Sequence, residues 1–83
     1  MKALYFAWVR ERIGLAEEEI SPPGDVATVR DLVTWLAQRG EGYAEAFANA
    51  KVIRAAIDKT HAGPDSPLGA AREIAFFPPM TGG

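Results

Sequence analysis

The chain has 83 residues, no cysteine, 48% apolar residues and a formal charge of -2 from nine Lys and Arg against eleven Asp and Glu. That length excludes two ordinary domains, and the missing thiol excludes a disulfide framework, a Cys-ligated metal and a Cys nucleophile. The mildly acidic balance gives no bulk attraction for phosphates, so nucleic acid and anionic membrane are not expected as partners.

A chain this short buries only about 60% of the surface its unfolded form exposes, so nearly all its apolar content must serve one core or one interface. The early apolar run from Ala3 to Val9 is followed at once by Arg10, Glu11 and Arg12. It is too short for a signal peptide or a membrane span of about 20 residues, and the chain is therefore expected in the cytoplasm.

Residues 2–9 are aromatic or branched at many positions and apolar at nearly all, which predicts a central strand. Gly14 offers a turn, and Glu17 to Ile20 predicts a short polar return strand ended by Pro22 and Pro23. Together they predict an N-terminal hairpin. Thr28 opens the main helix, because its hydroxyl can accept from the amide three residues on while Asp31 stands where a capping-box acid reaches back. Val29, Leu32, Val33 and Leu36 then form one apolar stripe, and Gly40 is expected to end it as a left-handed residue.

Residues 43–50 predict a short helical turn carrying Phe47. Residues 51–57 predict a strand with Ile53, Ala55 and Ile57 on one face and Val52, Arg54 and Ala56 on the other, and Asp58 and Lys59 begin a turn. Gly63-Pro64 and Ser66-Pro67 restrict the next stretch to one brief strand near His61 and then loop. Glu73 to Phe77 is the last strand, stopped by Pro78 and Pro79. The order predicts an α+β domain, a mixed sheet of four to five strands with one main helix packed on one face.

One helix covers one face of a sheet. Yet Ala3, Tyr5, Ala7 and Val9 alternate with Leu4, Phe6 and Trp8, and Ile74 and Phe76 alternate with Ala75 and Phe77, so both faces are apolar. The uncovered set predicts an exposed patch of the kind that marks a protein interface, unless loops or the second helical turn cover it.

Most catalytic chemistry lacks its residues. His61 is the single histidine, so no His/Cys cluster with metal-ligand spacing exists and no metal is expected. Ser21 and Ser66 lack a nucleophile-elbow context, and Gly40-Glu-Gly42 follows a helix without a third glycine, which reads as helix punctuation and not as a phosphate cradle. Glu17 to Glu19 reads as a solvated strand edge.

The ending, Phe76-Phe-Pro-Pro-Met-Thr-Gly-Gly83, is uncharged and closes on two glycines. Without side chains, they can enter a narrow tunnel as extended backbone and leave the Gly83 carboxylate open to attack. Pro78 and Pro79 favour polyproline II geometry, at about 3.1 Å per residue, which directs a tail away from the sheet and lowers the entropy lost on capture. A frayed terminus is the alternative. The expected division is a domain over residues 1–77 and an extended tail over residues 78–83.

Three stretches carry a family resemblance over the whole chain: Glu73-Ile-Ala-Phe-Phe-Pro-Pro-Met-Thr-Gly-Gly83, Tyr5-Phe-Ala-Trp-Val-Arg-Glu11 and Ala55-Ala-Ile-Asp-Lys-Thr60. They resemble the small subunits of molybdopterin synthases, which are ubiquitin-like β-grasp sulfur carriers. The resemblance implies that an adenylating enzyme uses ATP to activate the Gly83 carboxylate, that a sulfur donor protein converts it to a thiocarboxylate, and that the large subunit's active site receives it. It implies tail insertion through Gly82, Thr81, Met80, Pro79 and Pro78, and a contact patch at Phe6, His61 and Phe77, where His61 departs from the family's usual aliphatic residue. Catalytic side chains would belong to the large subunit, in a heterotetramer of two small and two large subunits, with no cofactor bound by this chain. Alternatives are a sulfur carrier for thiamine or cysteine formation, a ubiquitin-like protein modifier, and a plain interaction domain with an inert tail.

Overall fold

A computed structural model describes residues 1–79, and Met80, Thr81, Gly82 and Gly83 lie outside the described residues. The elements in chain order are β1 (Lys2–Tyr5), α1 (Ala7–Ile13), β2 (Glu17–Glu19), α2 (Val29–Ala37), α3 (Glu41–Ala46), a 3-10 turn (Ala50–Val52), β3 (Arg54–Ile57), β4 (Thr60–Ala62) and β5 (Glu73–Phe77). The strands form one mixed sheet in the order β2-β1-β5-β3-β4. β1 and β5 run parallel, with Leu4 opposite Ala75, and the other neighbours are antiparallel. The α+β class and the five-stranded mixed sheet are those expected, and β5, last in sequence, lies at the centre.

The predicted capping box forms at the start of α2. Thr28 Oγ1 accepts from the Asp31 amide at 3.2 Å, and Asp31 Oδ2 accepts from the Thr28 and Ala27 amides at 3.2 and 3.1 Å. The helix buries Val29, Leu32 and Leu36 against the sheet. Beneath it Phe76 stacks on Tyr5 at 6.3 Å between ring centroids and meets Phe47 edge-on at 5.1 Å. Burial of a ring such as Phe76 contributes about 1.5–3 kcal/mol.

The first strand is shorter than its apolar run. β1 ends at Tyr5, Ala7 takes a left-handed φ of 52°, and α1 follows where strand was expected. Its partner β2 is only three residues long, so a strand continued through Val9 would have lost its ladder on that side. The helix instead places Val9 fully in the core. Gly14, expected as the hairpin turn, caps α1 with φ 89° and donates its N–H to the Arg10 carbonyl at 2.8 Å. β1 and β2 still pair, with a helix between them.

Gly40 also differs from expectation. Its φ of 162° is extended, and it precedes α3, while α2 has already ended at Gln38. Gly42 has a packing role: a Cβ there would lie 2.5 Å from the Arg12 carbonyl oxygen, so α3 approaches α1 only because this residue has none. Asp58 and Lys59 both have positive φ, 47° and 72°, in the two-residue turn between β3 and β4. Asp58 Oδ1 accepts from the Arg72 and Glu73 amides, each at 3.0 Å, and so ties this turn to the start of β5.

Candidate functional site

Leu4, Ala75, Ala56 and His61 stand side by side across β1, β5, β3 and β4. They alternate with the buried Ala3, Tyr5, Ile74, Phe76 and Ala55, and therefore face away from α2. Phe77 lies on the same outer face, opposite Arg54. The His61 ring meets the Phe77 ring edge-on, at 5.6 Å and 86°, diagonally across β3. Two of the three expected interface residues are thus in contact.

Phe6, the third, continues β1 in extended conformation and is 48% exposed. Its backbone is held at both ends: the N–H donates to the Phe76 carbonyl at 3.1 Å, and its own carbonyl accepts from Val9 and Arg10. The left-handed Ala7 makes this possible by turning the chain into α1 directly after Phe6, at a steric cost of about 1–2 kcal/mol. The uncovered face is narrower than the sequence suggested. Trp8 belongs to α1 and not to the outer strand face. At the middle of that face stand the half-buried Ala56 and the buried Ala75, so the exposed surface lies mainly at Phe6 and His61 around them.

β5 delivers the chain to Pro78 and Pro79 beside this patch, both of them half-buried. Arg54 is exposed at the start of β3, where its Nη1 donates to the Lys51 carbonyl at 3.4 Å. Arg10 is exposed on α1. Each is available to an acidic partner group. Among the described residues no group of three His, Asp or Glu side chains is arranged for a metal, and no helix is long and apolar enough to cross a membrane.

A polar cluster on the inner side went unread in the sequence. Glu18, expected in a solvated edge, accepts hydrogen bonds from the Tyr43 hydroxyl at 2.7 Å, the Tyr5 hydroxyl at 2.9 Å and Arg39 Nη1 at 3.2 Å. Strand alternation turns it inward while Glu17 and Glu19 face water. Burial pushes the Glu18 carboxyl up, but the Tyr43 and Tyr5 hydrogen bonds and the Arg39 charge outweigh it, leaving the group below its ordinary value. Burial, then the bond to Glu18, raises both tyrosines.

A lowered folded pKa means that the ionised Glu18 contributes stability in full above its unfolded value, about 4.3. That contribution is lost as pH falls through the folded value. Glu18→Gln is expected to cost about 1–2 kcal/mol at pH 7 and to flatten the acid limb of the stability curve, read by thermal denaturation from pH 7 to 3. An unchanged acid limb would contradict the role given to this cluster.

The chain is 39% identical, over 83 residues covering 100% of its length and 99% of the relative's, to the molybdopterin synthase sulfur carrier subunit of Escherichia coli K12. It is similar in structure to a Pyrococcus furiosus chain described as a candidate molybdopterin converting factor, subunit 1, with a TM-score of 0.74, 28% identity and 95% of each chain covered. SAMP1 from Haloferax volcanii superposes with a TM-score of 0.72 at 25% identity, covering 100% of this chain and 98% of that one. Residues 3–83 match the ThiS family, and with that match spanning nearly the whole sequence, this chain belongs to the ThiS family.

Proposed function

We propose that this chain is the sulfur carrier subunit of a molybdopterin synthase and carries sulfur on the carboxyl carbon of Gly83. The observation that carries the reading is the 39% identity to the Escherichia coli sulfur carrier subunit across the full length of both chains. The fold supports it, because the central strand β5 leads to the Gly-Gly ending past the exposed ring of Phe6 and the paired rings of His61 and Phe77.

A carboxylate is a poor electrophile. In the proposed sequence a Gly83 oxygen attacks the α-phosphate of ATP on an adenylating enzyme, releasing pyrophosphate and forming an acyl adenylate. The terminal sulfur of a donor protein's persulfide then attacks the acyl carbon and AMP leaves. A second thiol attacks the donor-side sulfur of the resulting acyl disulfide, forming a disulfide with the donor and releasing the thiocarboxylate. Residues 78–83 act as the tail, with Pro78, Pro79, Met80, Thr81 and Gly82 entering the large subunit, where sulfur passes to a cyclic pterin precursor to build the dithiolene. Phe6, His61 and Phe77 form the docking patch, and the catalytic side chains belong to the large subunit. Two small and two large subunits assemble in the cytoplasm, and this chain binds no cofactor of its own.

A carrier for thiamine or cysteine formation and a lysine-linked modifier share the activation step and diverge at the acceptor. Reconstitution with a large subunit and the cyclic precursor therefore tests the proposal. The thiocarboxylated chain is expected to yield dithiolene product and the carboxylate form none; absence of product from the thiocarboxylated chain would overturn it.

A further inference from the structure

A second surface lies on the other side of the sheet from the Phe6, His61 and Phe77 patch. Between α2 and the β3–β4 corner runs a groove of about 280 Å³, walled by Val29, Val33, Ile53, Ala55, Ala62 and Phe76. The sequence explains why it is there. Ala55 and Ala62 are opposite each other in the β3–β4 ladder, and two methyl groups do not fill the space beneath the α2 valines. Neighbouring positions of the same sheet face are filled by Ile74 and Phe76.

The rim carries Arg30, Lys51 and Arg54 and no carboxylate. In a chain with eleven acids and nine bases this is a local reversal of charge. Arg30 is paired with Asp65 at 2.9 Å, which leaves Lys51 and Arg54, both exposed, at one end of the groove. Arg54 stands opposite Phe77 in the ladder, but its guanidinium reaches back to donate to the Lys51 carbonyl and so borders the groove as well. Among the described residues β4 is also an edge of the sheet. Its two-residue turn makes Ile57/Thr60 and Ala55/Ala62 the hydrogen-bonded pairs, so His61 between them directs its N–H and C=O outward.

We propose that this groove binds an extended acidic–aliphatic segment of a partner protein. An aliphatic side chain fills the space above Ala55 and Ala62, a neighbouring carboxylate meets Lys51 and Arg54, and the main chain runs along the β4 edge. The volume lies below the range of about 300–1,000 Å³ usual for small-molecule pockets, which suits one or two side chains and is short for an acyl chain. The free strand edge favours a peptide over a lipid.

The test is a titration of the full ¹⁵N-labelled chain with the capped peptide Asp-Ile-Val-Leu-Glu, followed by amide chemical shifts. Shifts are expected at Val33, Ile53, Ala55 and Ala62. The Lys51→Glu/Arg54→Glu variant, and separately the neutral peptide Asn-Ile-Val-Leu-Gln, are each expected to weaken binding about fivefold or more. Ala62→Leu, which fills the groove without changing charge, is expected to abolish it, with thermal melts confirming that both variants fold. No shifts at millimolar peptide, shifts centred on Phe6 and Phe77, or equal binding of the neutral peptide would overturn the proposal. So would the same residues responding to phosphatidylglycerol vesicles and not to the peptide.

Discussion

Removal of Gly83 is expected to abolish thiocarboxylate formation completely while shifting stability by less than about 0.5 kcal/mol. The two effects separate because the proposed reacting carbon belongs to the last residue, whereas the buried core is built from side chains between Ala3 and Phe76. In the truncated chain the terminal carboxylate belongs to Gly82, one residue short. A tunnel that positions an extended backbone against an adenylating or transfer site loses its near-attack geometry over that distance. Intact mass after activation and a thermal melt measure the two quantities on one sample. Continued dithiolene formation by the truncated chain with its large subunit would contradict the proposed role of Gly83.

The second large effect is expected at the outer face. Phe6→Ala and Phe77→Ala should each weaken association with the large subunit by about 2 kcal/mol, close to thirtyfold, as truncation of a central aromatic anchor commonly does. The cost to folding should be smaller. Phe6 is 48% exposed, so its ring leaves little behind when removed; Phe77 is half-buried and loses its contact with His61. Calorimetric titration against the large subunit, set beside denaturation of the free variants, separates the two. A loss of stability equal to the loss of binding would return that residue to the core.

Much of the fold was legible because several local signals agree with the tertiary structure. The Thr28–Asp31 capping box, the stripe through Leu32 and Leu36, and the strand Glu73–Phe77 between a loop and two prolines each specify their element from within a few residues. The alternation of Ala75 and Phe77 with Ile74 and Phe76 likewise divided the strand into two faces, and burial of Ile74 and Phe76 under the helix decides which is inner. The β3–β4 turn was readable in position, though its paired positive φ values at Asp58 and Lys59 were not.

What was missed depended on non-local facts. The run Ala3 to Val9 satisfies a strand pattern throughout, and only the short reach of β2 and the room in the core for Val9 decide for α1. A signal was nevertheless present: Val9 and Ile13 are spaced i, i+4, and Gly14 follows as a helix cap. Glu18 sits between two other glutamates, and nothing local marks it as the one that meets Tyr5, Tyr43 and Arg39. The groove between α2 and β3 is likewise invisible in sequence, because it arises from two alanines brought opposite each other by a turn.

The central claim is that sulfur travels on the terminal carboxyl carbon, and the absence of cysteine makes its test unusually clean. A gain of sulfur cannot be a persulfide or a mixed disulfide on this chain. The measurement is the intact mass of the full chain before and after incubation with its adenylating enzyme, ATP and a sulfur donor, with fragmentation to locate the change. A gain equal to exchange of one oxygen for one sulfur, confined to Gly83, is the result expected. An unchanged mass, or sulfur found at any other residue, would contradict it.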